Sequence, residues 1–140
     1  MKVWKRSVFV VLWLVAGGGW GAEGMKSVWS GVYTDEQATA GETIYFNRCA
    51  TCHGDDLGGV EKAPALVGAS FRESWHGKTL RKLLERIESM PPDEPQAVST
   101  DEAAKVLAFL LRSSEMPSGS SALPIDRAQL ADITFERTKP

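Results

Sequence analysis

The sequence predicts an all-α fold with about three main helices, and three observations support this prediction. Thr34 with Gln37 forms a helix-start pair, in which a hydroxyl and a side chain three residues later satisfy free backbone N–H groups. Ser99 with Glu102 repeats the pattern before the last helix. Apolar residues within 80–87 recur at i, i+3, i+4 and i+7, as in an amphipathic helix. The sequence has no β-hairpin signal.

The first helix is expected to run from about Asp35 to the Cys49 region. Four of its residues recur at spacings of four, four and three and therefore share one face: Gly41, Tyr45, Cys49 and Cys52. Glycine costs a helix about 1 kcal/mol relative to alanine. Either a close crossing by another helix or simple tolerance would explain Gly41.

The second helix is expected to end at Met90, because the residue before a proline is pushed out of the α region and Pro91 follows. Residues 54–70 are rich in glycine and turn formers, which predicts a loop. The third helix should bury one stripe of apolar residues: Ala103, Val106, Leu107, Leu110 and Leu111.

Four segments are expected along the chain: a signal peptide at 1–22, an extended lead-in at 23–33, one folded domain at 34–113 and a tail at 114–140. The tail is polar and interrupted by prolines, so we expect it to wrap the surface, with Leu130, Ile133 and Phe135 as docking points.

The first 22 residues have the layout of a secretory signal peptide. A basic stretch at residues 2–6 precedes an apolar run at residues 8–16, and small residues follow before cleavage near residue 22. The alternative is an uncleaved membrane anchor. A span needs about 20 apolar residues, and the glycines after Ala16 continue the run poorly. We therefore expect a periplasmic protein with no stable membrane span in its mature form.

The charge balance excludes one class of partner. Removal of residues 1–22 would take away three of 16 basic residues and none of 18 acidic ones, leaving a net charge of −5. The mature chain has no basic stripe or Lys/Arg block of the kind that nucleic-acid binding requires. An acidic chain is instead steered towards a basic face of its partner.

The only two cysteines lie in the motif Cys49-Ala50-Thr51-Cys52-His53. Two thiols on one helical face can form thioethers to haem vinyl groups, with the next histidine under the iron, so the motif indicates one covalently bound haem c. A thiol–disulfide motif would accompany a βαβ pattern, which the sequence lacks. A zinc site needs four ligands, and only His76 could complete it. A plain disulfide would leave His53 without a purpose.

A second ligand would occupy the remaining axial position of the iron, and four residues are candidates: Met90, His76, Met25 and Met116. Met25 and Met116 lie in the expected tails. Met90 lies on a stiff segment before two prolines, 41 positions after Cys49, so the chain can reach the opposite face of the haem. We predict Met90 as the ligand, with His76 as the alternative. Met/His ligation raises the haem potential and closes both axial positions.

The chain resembles class I cytochromes c over roughly residues 34–113. The resemblance implies that the first and last helices cross tightly at a glycine and an aromatic residue. It also implies that the Pro64 carbonyl orients His53 and that Trp75 bonds a haem propionate; a core aromatic is the alternative for Trp75. The matching elements are Gly41, Tyr45, Cys49 to Gly54, Ala63-Pro64-Ala65-Leu66, Met90-Pro91 and Val106 to Leu110.

A narrower similarity, from Trp75 to Pro91 with Tyr33-Thr34 and Gln37-Ala38 upstream, is to cytochrome domains associated with quinoprotein dehydrogenases. The implied function is a single-electron carrier, not an enzyme, between a periplasmic dehydrogenase or membrane redox complex and a terminal acceptor. Expected partners are a dehydrogenase or quinoprotein donor and an oxidase or other cytochrome acceptor. A haem sensor or weak peroxidase with a labile sixth ligand is the alternative.

Overall fold

The computed structural model describes residue 1, residues 24–61 and residues 63–140, so the predicted signal peptide lies outside the described residues apart from Met1. The described chain is mainly helical, which confirms the predicted fold class. None of its helices is long and apolar enough to cross a membrane. Its α-helices are α1 (Asp35–Arg48), α2 (Ala50–His53), α3 (Gly68–Trp75), α4 (Leu80–Glu88), α5 (Thr100–Ser113) and α6 (Arg127–Ala131).

The three predicted helices form where local signals place them. The Thr34 hydroxyl accepts a hydrogen bond from the backbone N–H of Gln37 at 3.2 Å and so caps the start of α1. Both hydrogen bonds of the capping box between Ser99 and Glu102 are present at the start of α5. Helix α4 buries its three leucines and ends before Met90, ahead of the prolines.

Helices α1 and α5 cross in close contact at Gly41. A Cβ atom on this glycine would lie 1.8 Å from the backbone oxygen of Lys105, so no other residue fits without movement of a helix. The rings of Tyr45 and Phe109 pack beside the crossing, with their centroids 5.3 Å apart. Of the two explanations for Gly41, the close crossing is therefore correct.

Two local predictions were wrong. The Gln37 side chain does not reach back to the start of α1. Its side-chain amide instead makes two hydrogen bonds with the backbone of Leu123: Nε2 donates to the carbonyl at 3.0 Å, and Oε1 accepts from the N–H at 2.7 Å. The predicted loop at 54–70 ends early, because α3 begins at Gly68. This helix has eight residues and only Phe71 is buried, so its apolar pattern is too short to identify.

The segments before α1 and after α5 pair with each other. Strand β1 (Lys26–Ser27) runs parallel to β2 (Ile133–Thr134), two short strands that the sequence did not predict, and a 3₁₀ helix (Val28–Ser30) follows β1. The Tyr33 hydroxyl donates to the Met116 carbonyl at 2.6 Å. The three expected docking points are buried, and they add to a core that lies mainly between α1, α4 and α5: Leu130, Ile133 and Phe135.

Candidate functional site

A cavity of about 780 Å³ lies among α1, α2, α3, α4 and α5. Its volume is in the range of sites that hold small molecules and cofactors. Much of its wall is apolar, with side chains from these five helices and from the chain between them. The structure brings all six residues predicted to bind a cofactor to this wall: Cys49, Cys52, His53, Pro64, Trp75 and Met90.

The two thiols lie where α1 gives way to α2. Helix α1 was expected to reach the Cys49 region; it ends at Arg48, and Cys49 separates it from α2. The Cys49 amide still donates to the Tyr45 carbonyl at 2.8 Å, so the helical path is nearly continuous and Cys49 and Cys52 share the cavity wall. Burial raises the pKa of the Cys49 thiol, whereas Cys52 is exposed.

His53 is oriented by the carbonyl oxygen of Pro64, which lies 2.9 Å from its Nδ1 atom. A carbonyl only accepts hydrogen bonds, so Nδ1 carries the proton and the Nε2 lone pair is left for a metal ion. The loop that delivers Pro64 depends on Gly59, which has a φ of 82° and donates its amide to the His53 carbonyl at 2.8 Å. A Cβ on Gly59 would lie 2.5 Å from the Ala63 carbonyl.

The half-buried Met90 reaches the same cavity from the chain that follows α4. Its amide donates to the Ile87 carbonyl at 3.0 Å, which fixes the backbone just beyond the helix. Two thiols for covalent attachment, with an imidazole Nε2 and a thioether as iron ligands, are the set of groups that a c-type haem uses. Apolar residues surround this set and suit a macrocycle: Leu66, Phe71, Leu83, Ile87, Val98, Val106 and Leu110.

Trp75 is half-buried on the α3 wall of the cavity. Its ring packs against Phe71, with centroids 6.4 Å apart, and the Lys78 ammonium lies 5.1 Å from the centroid of the indole ring. Within the described residues its indole N–H makes no hydrogen bond. The Trp75 ring therefore packs in the wall, while its indole N–H remains able to donate a hydrogen bond to a polar group in the cavity.

The other candidate ligands lie away from the cavity wall. His76 is exposed at the end of α3, and its Nδ1 atom faces the Arg137 amide at 3.4 Å. Met25 is 65% exposed, whereas Met116, expected in a loose tail, is buried in the core. Across residues 24–61 and 63–140, no three Cys, His, Asp or Glu side chains gather closely enough to hold a metal ion, so the zinc alternative gains no support.

Two arginines on the cavity wall were not predicted from the sequence. Arg48 is the last residue of α1 and precedes Cys49, and Arg86 lies one helical turn before Met90. Their positions near the predicted attachment residue Cys49 and the predicted ligand Met90 were the only signal, because nothing in the sequence separates them from ordinary surface arginines.

The hydroxyl of Tyr45 in α1 donates a hydrogen bond to the Gly54 carbonyl at 2.6 Å. Gly54 directly follows the Cys49–His53 motif, so this bond links α1 to the end of the motif. Burial is the largest cause that raises the pKa of Tyr45 to about 12, so the phenol stays protonated and can donate. Tyr45→Phe is expected to lower the free energy of unfolding by about 1 kcal/mol, measured by urea unfolding. An unchanged stability would mean that the Leu57 amide, 3.2 Å from the same carbonyl, satisfies it alone.

Residues 36–110, more than half of the chain, match the sequence model of the family described as cytochrome c oxidase, cbb3-type, subunit III. The cbb3-type cytochrome c oxidase subunit CcoP of Rubrivivax gelatinosus is 32% identical over an alignment of 104 residues, and the match covers 69% of this chain and 33% of that protein. The chain thus spans about a third of the length of this curated relative.

The fold is also found in a solved structure. The sulfane dehydrogenase SoxCD of Paracoccus pantotrophus contains a chain that matches with a TM-score of 0.51 and 20% identity, over 76% of this chain and 61% of that one. Three observations lead to the same conclusion: the helical fold, the Cys-x-x-Cys-His motif on the cavity wall and the family match over residues 36–110. The chain is a cytochrome c domain and belongs to the family of cytochrome c oxidase, cbb3-type, subunit III.

Proposed function

We propose that this chain carries single electrons on one haem c, attached through Cys49 and Cys52 and ligated by His53 and Met90. The observation that supports this function most is that both thiols, the imidazole and the thioether line one largely apolar cavity. The proposal also agrees with membership of a cytochrome c family.

Each residue of the site has a defined task in this proposal. When bound, the haem supplies an iron centre that gains and loses one electron. His53, whose Nδ1 atom is held by the Pro64 carbonyl, and Met90 would hold the iron through Nε2 and the thioether sulfur. With both residues bound, the iron would have no open position for a substrate or oxygen, and this favours a carrier over a haem sensor or weak peroxidase. Trp75 would donate its indole N–H to a haem propionate.

The partners that we propose are redox proteins of the periplasm, reached after cleavage of the signal peptide near residue 22. The donor is a dehydrogenase, a quinoprotein or a membrane redox complex, and the acceptor is an oxidase or another cytochrome. The curated relative is a subunit of a cytochrome c oxidase, which supports an oxidase or a membrane redox complex among the partners. The dehydrogenase donor is supported only by the sequence resemblance. The proposal of a quinoprotein donor depends only on the similarity between the segment from Trp75 to Pro91 and cytochrome domains associated with quinoprotein dehydrogenases.

We also propose that the folded unit extends beyond residues 34–113. Residues 24–33 and 114–140 share a strand pair, and the Trp29 indole donates to the Glu136 carbonyl at 2.9 Å. Fully buried side chains from both segments, such as Val28 and Phe135, join the main core. The 114–140 segment is therefore part of the domain, rather than a covering added to its surface.

Met90→Ala tests the proposed function. The variant is expected to lose the far-red methionine–iron charge-transfer band of the oxidised protein. Its midpoint potential should fall by on the order of 0.1 V, because a thioether ligand favours reduced iron. Absorption spectroscopy and a redox titration measure both effects.

Met25→Ala is the matched control, because this methionine is exposed and should leave both readouts unchanged. Rapid binding of carbon monoxide or cyanide by the unaltered protein would contradict closed coordination and favour the sensor or peroxidase. Extraction of the pigment by acidified organic solvent would contradict covalent attachment through Cys49 and Cys52.

A further inference from the structure

The loop at residues 91–98, which follows Met90, has few attachments to the rest of the fold. Most of its hydrogen bonds are internal or return to α4, such as that from the Gln96 amide to the Glu88 carbonyl at 2.8 Å. In the described chain, one hydrogen bond links it to any other element: Arg48 Nη1 donates to the Ala97 carbonyl at 2.9 Å. Val98 adds a buried apolar contact.

Arg48 lies between the residue predicted to attach the haem, Cys49, and the loop that follows Met90. It is the last residue of α1, directly before Cys49, and it lines the cavity together with Ala97 and Met90. Its Nη2 atom lies 3.7 Å from a carboxylate oxygen of Glu102, and its side chain is 49% exposed. Such an exposed ion pair contributes little, and Glu102 lies in α5, so the hydrogen bond to Ala97 is the contact that attaches Arg48 to the loop.

We propose that Arg48 is a positioning residue for Met90: it fastens the 91–98 loop to the end of α1 that carries the haem attachment, and so keeps Met90 on the iron. The inference rests on the proposed function. Movement of the loop would carry Met90 away from the iron, and the Arg48 hydrogen bond opposes that movement. Its loss should raise the population of the open loop by about threefold to tenfold, the usual range for one hydrogen bond.

The test uses the haem-loaded protein and measures the rate at which imidazole binds to the oxidised form, which requires Met90 to dissociate. Arg48→Ala and Arg48→Met should both bind imidazole about threefold to tenfold faster. The methionine variant keeps the aliphatic stem and removes the donor, so it separates the hydrogen bond from packing.

Arg112→Ala is the matched control. Arg112 also links α5 to α1, through Glu42 at 2.7 Å and Thr39 at 2.9 Å, but it does not line the cavity. Its imidazole rate should stay close to that of the unaltered protein, even if its thermal stability falls as much as that of Arg48→Ala.

Two results would overturn the inference. An unaltered rate in Arg48→Met would assign the effect to the stem, and equal acceleration in Arg112→Ala would assign it to general loosening of α1 and α5. Failure of the proposed function is recognised separately, because the far-red band would then be missing from the unaltered protein before any arginine is changed.

Discussion

Gly41→Ala is expected to lower the free energy of unfolding by about 3 kcal/mol, the upper end of the usual cost of overpacking a core. The new Cβ would lie 1.8 Å from the Lys105 oxygen and 2.3 Å from its carbonyl carbon. These are backbone atoms and cannot rotate away, so α1 and α5 must separate by more than 1 Å. The separation would also loosen the Tyr45 and Phe109 contact beside the cavity. Urea unfolding of the haem-loaded protein measures the change.

Thr43→Ala supplies the control, because Thr43 is exposed on the same helix and also becomes alanine. Helix propensity alone favours alanine at both positions, so the two variants should differ in sign. Equal stability of the two variants would show that the helices can move apart at little cost.

Phe135→Ala is expected to lower the free energy of unfolding by about 3–5 kcal/mol, the usual cost of emptying a buried phenylalanine site. Phe135 is fully buried, and its ring meets that of Phe71 edge to face at a centroid distance of 5.8 Å. Its backbone exchanges hydrogen bonds with Lys78 and Gly77, at 2.8 and 2.9 Å. Chemical unfolding monitored by circular dichroism measures the loss.

The second expected effect of Phe135→Ala is on the cavity. Phe71 packs between Phe135 and Trp75, so an empty site behind Phe71 should loosen the α3 wall and broaden the haem absorption bands. Ile125→Ala is the control, because Ile125 lies in the same C-terminal segment and is 53% exposed. Equal losses in the two variants would contradict a structural role for the segment in the core.

The parts of the fold that could be predicted are those encoded in consecutive residues. A capping box is complete within four residues, as Ser99 and Glu102 show, and an amphipathic stripe is complete within about eight. The Cys49–His53 motif is similarly local, and it indicated the cytochrome c domain that the family match supports. Local chemistry therefore predicted α1, α4, α5 and the Cys49–His53 motif, whereas Pro64 and Trp75 were predicted only from the family resemblance.

The parts that were missed depend on contacts between distant residues. Gln37 had the right spacing for a capping box, but the Leu123 backbone, 86 positions away, offers it two hydrogen bonds. The Arg48 bond to Ala97 spans 49 positions. Nothing in the local sequence distinguishes such partners from solvent, so these contacts could be recognised only from the folded chain.

The parallel pairing of β1 with β2 has a consequence for the order of folding. Trp29 and Glu136, which join beside it, are 107 positions apart. The entropy lost on closing a loop increases with its length, and contacts between distant residues form slowly. The β1–β2 contact is therefore expected to close after α1 has met α5, and to be the first to open when the protein unfolds.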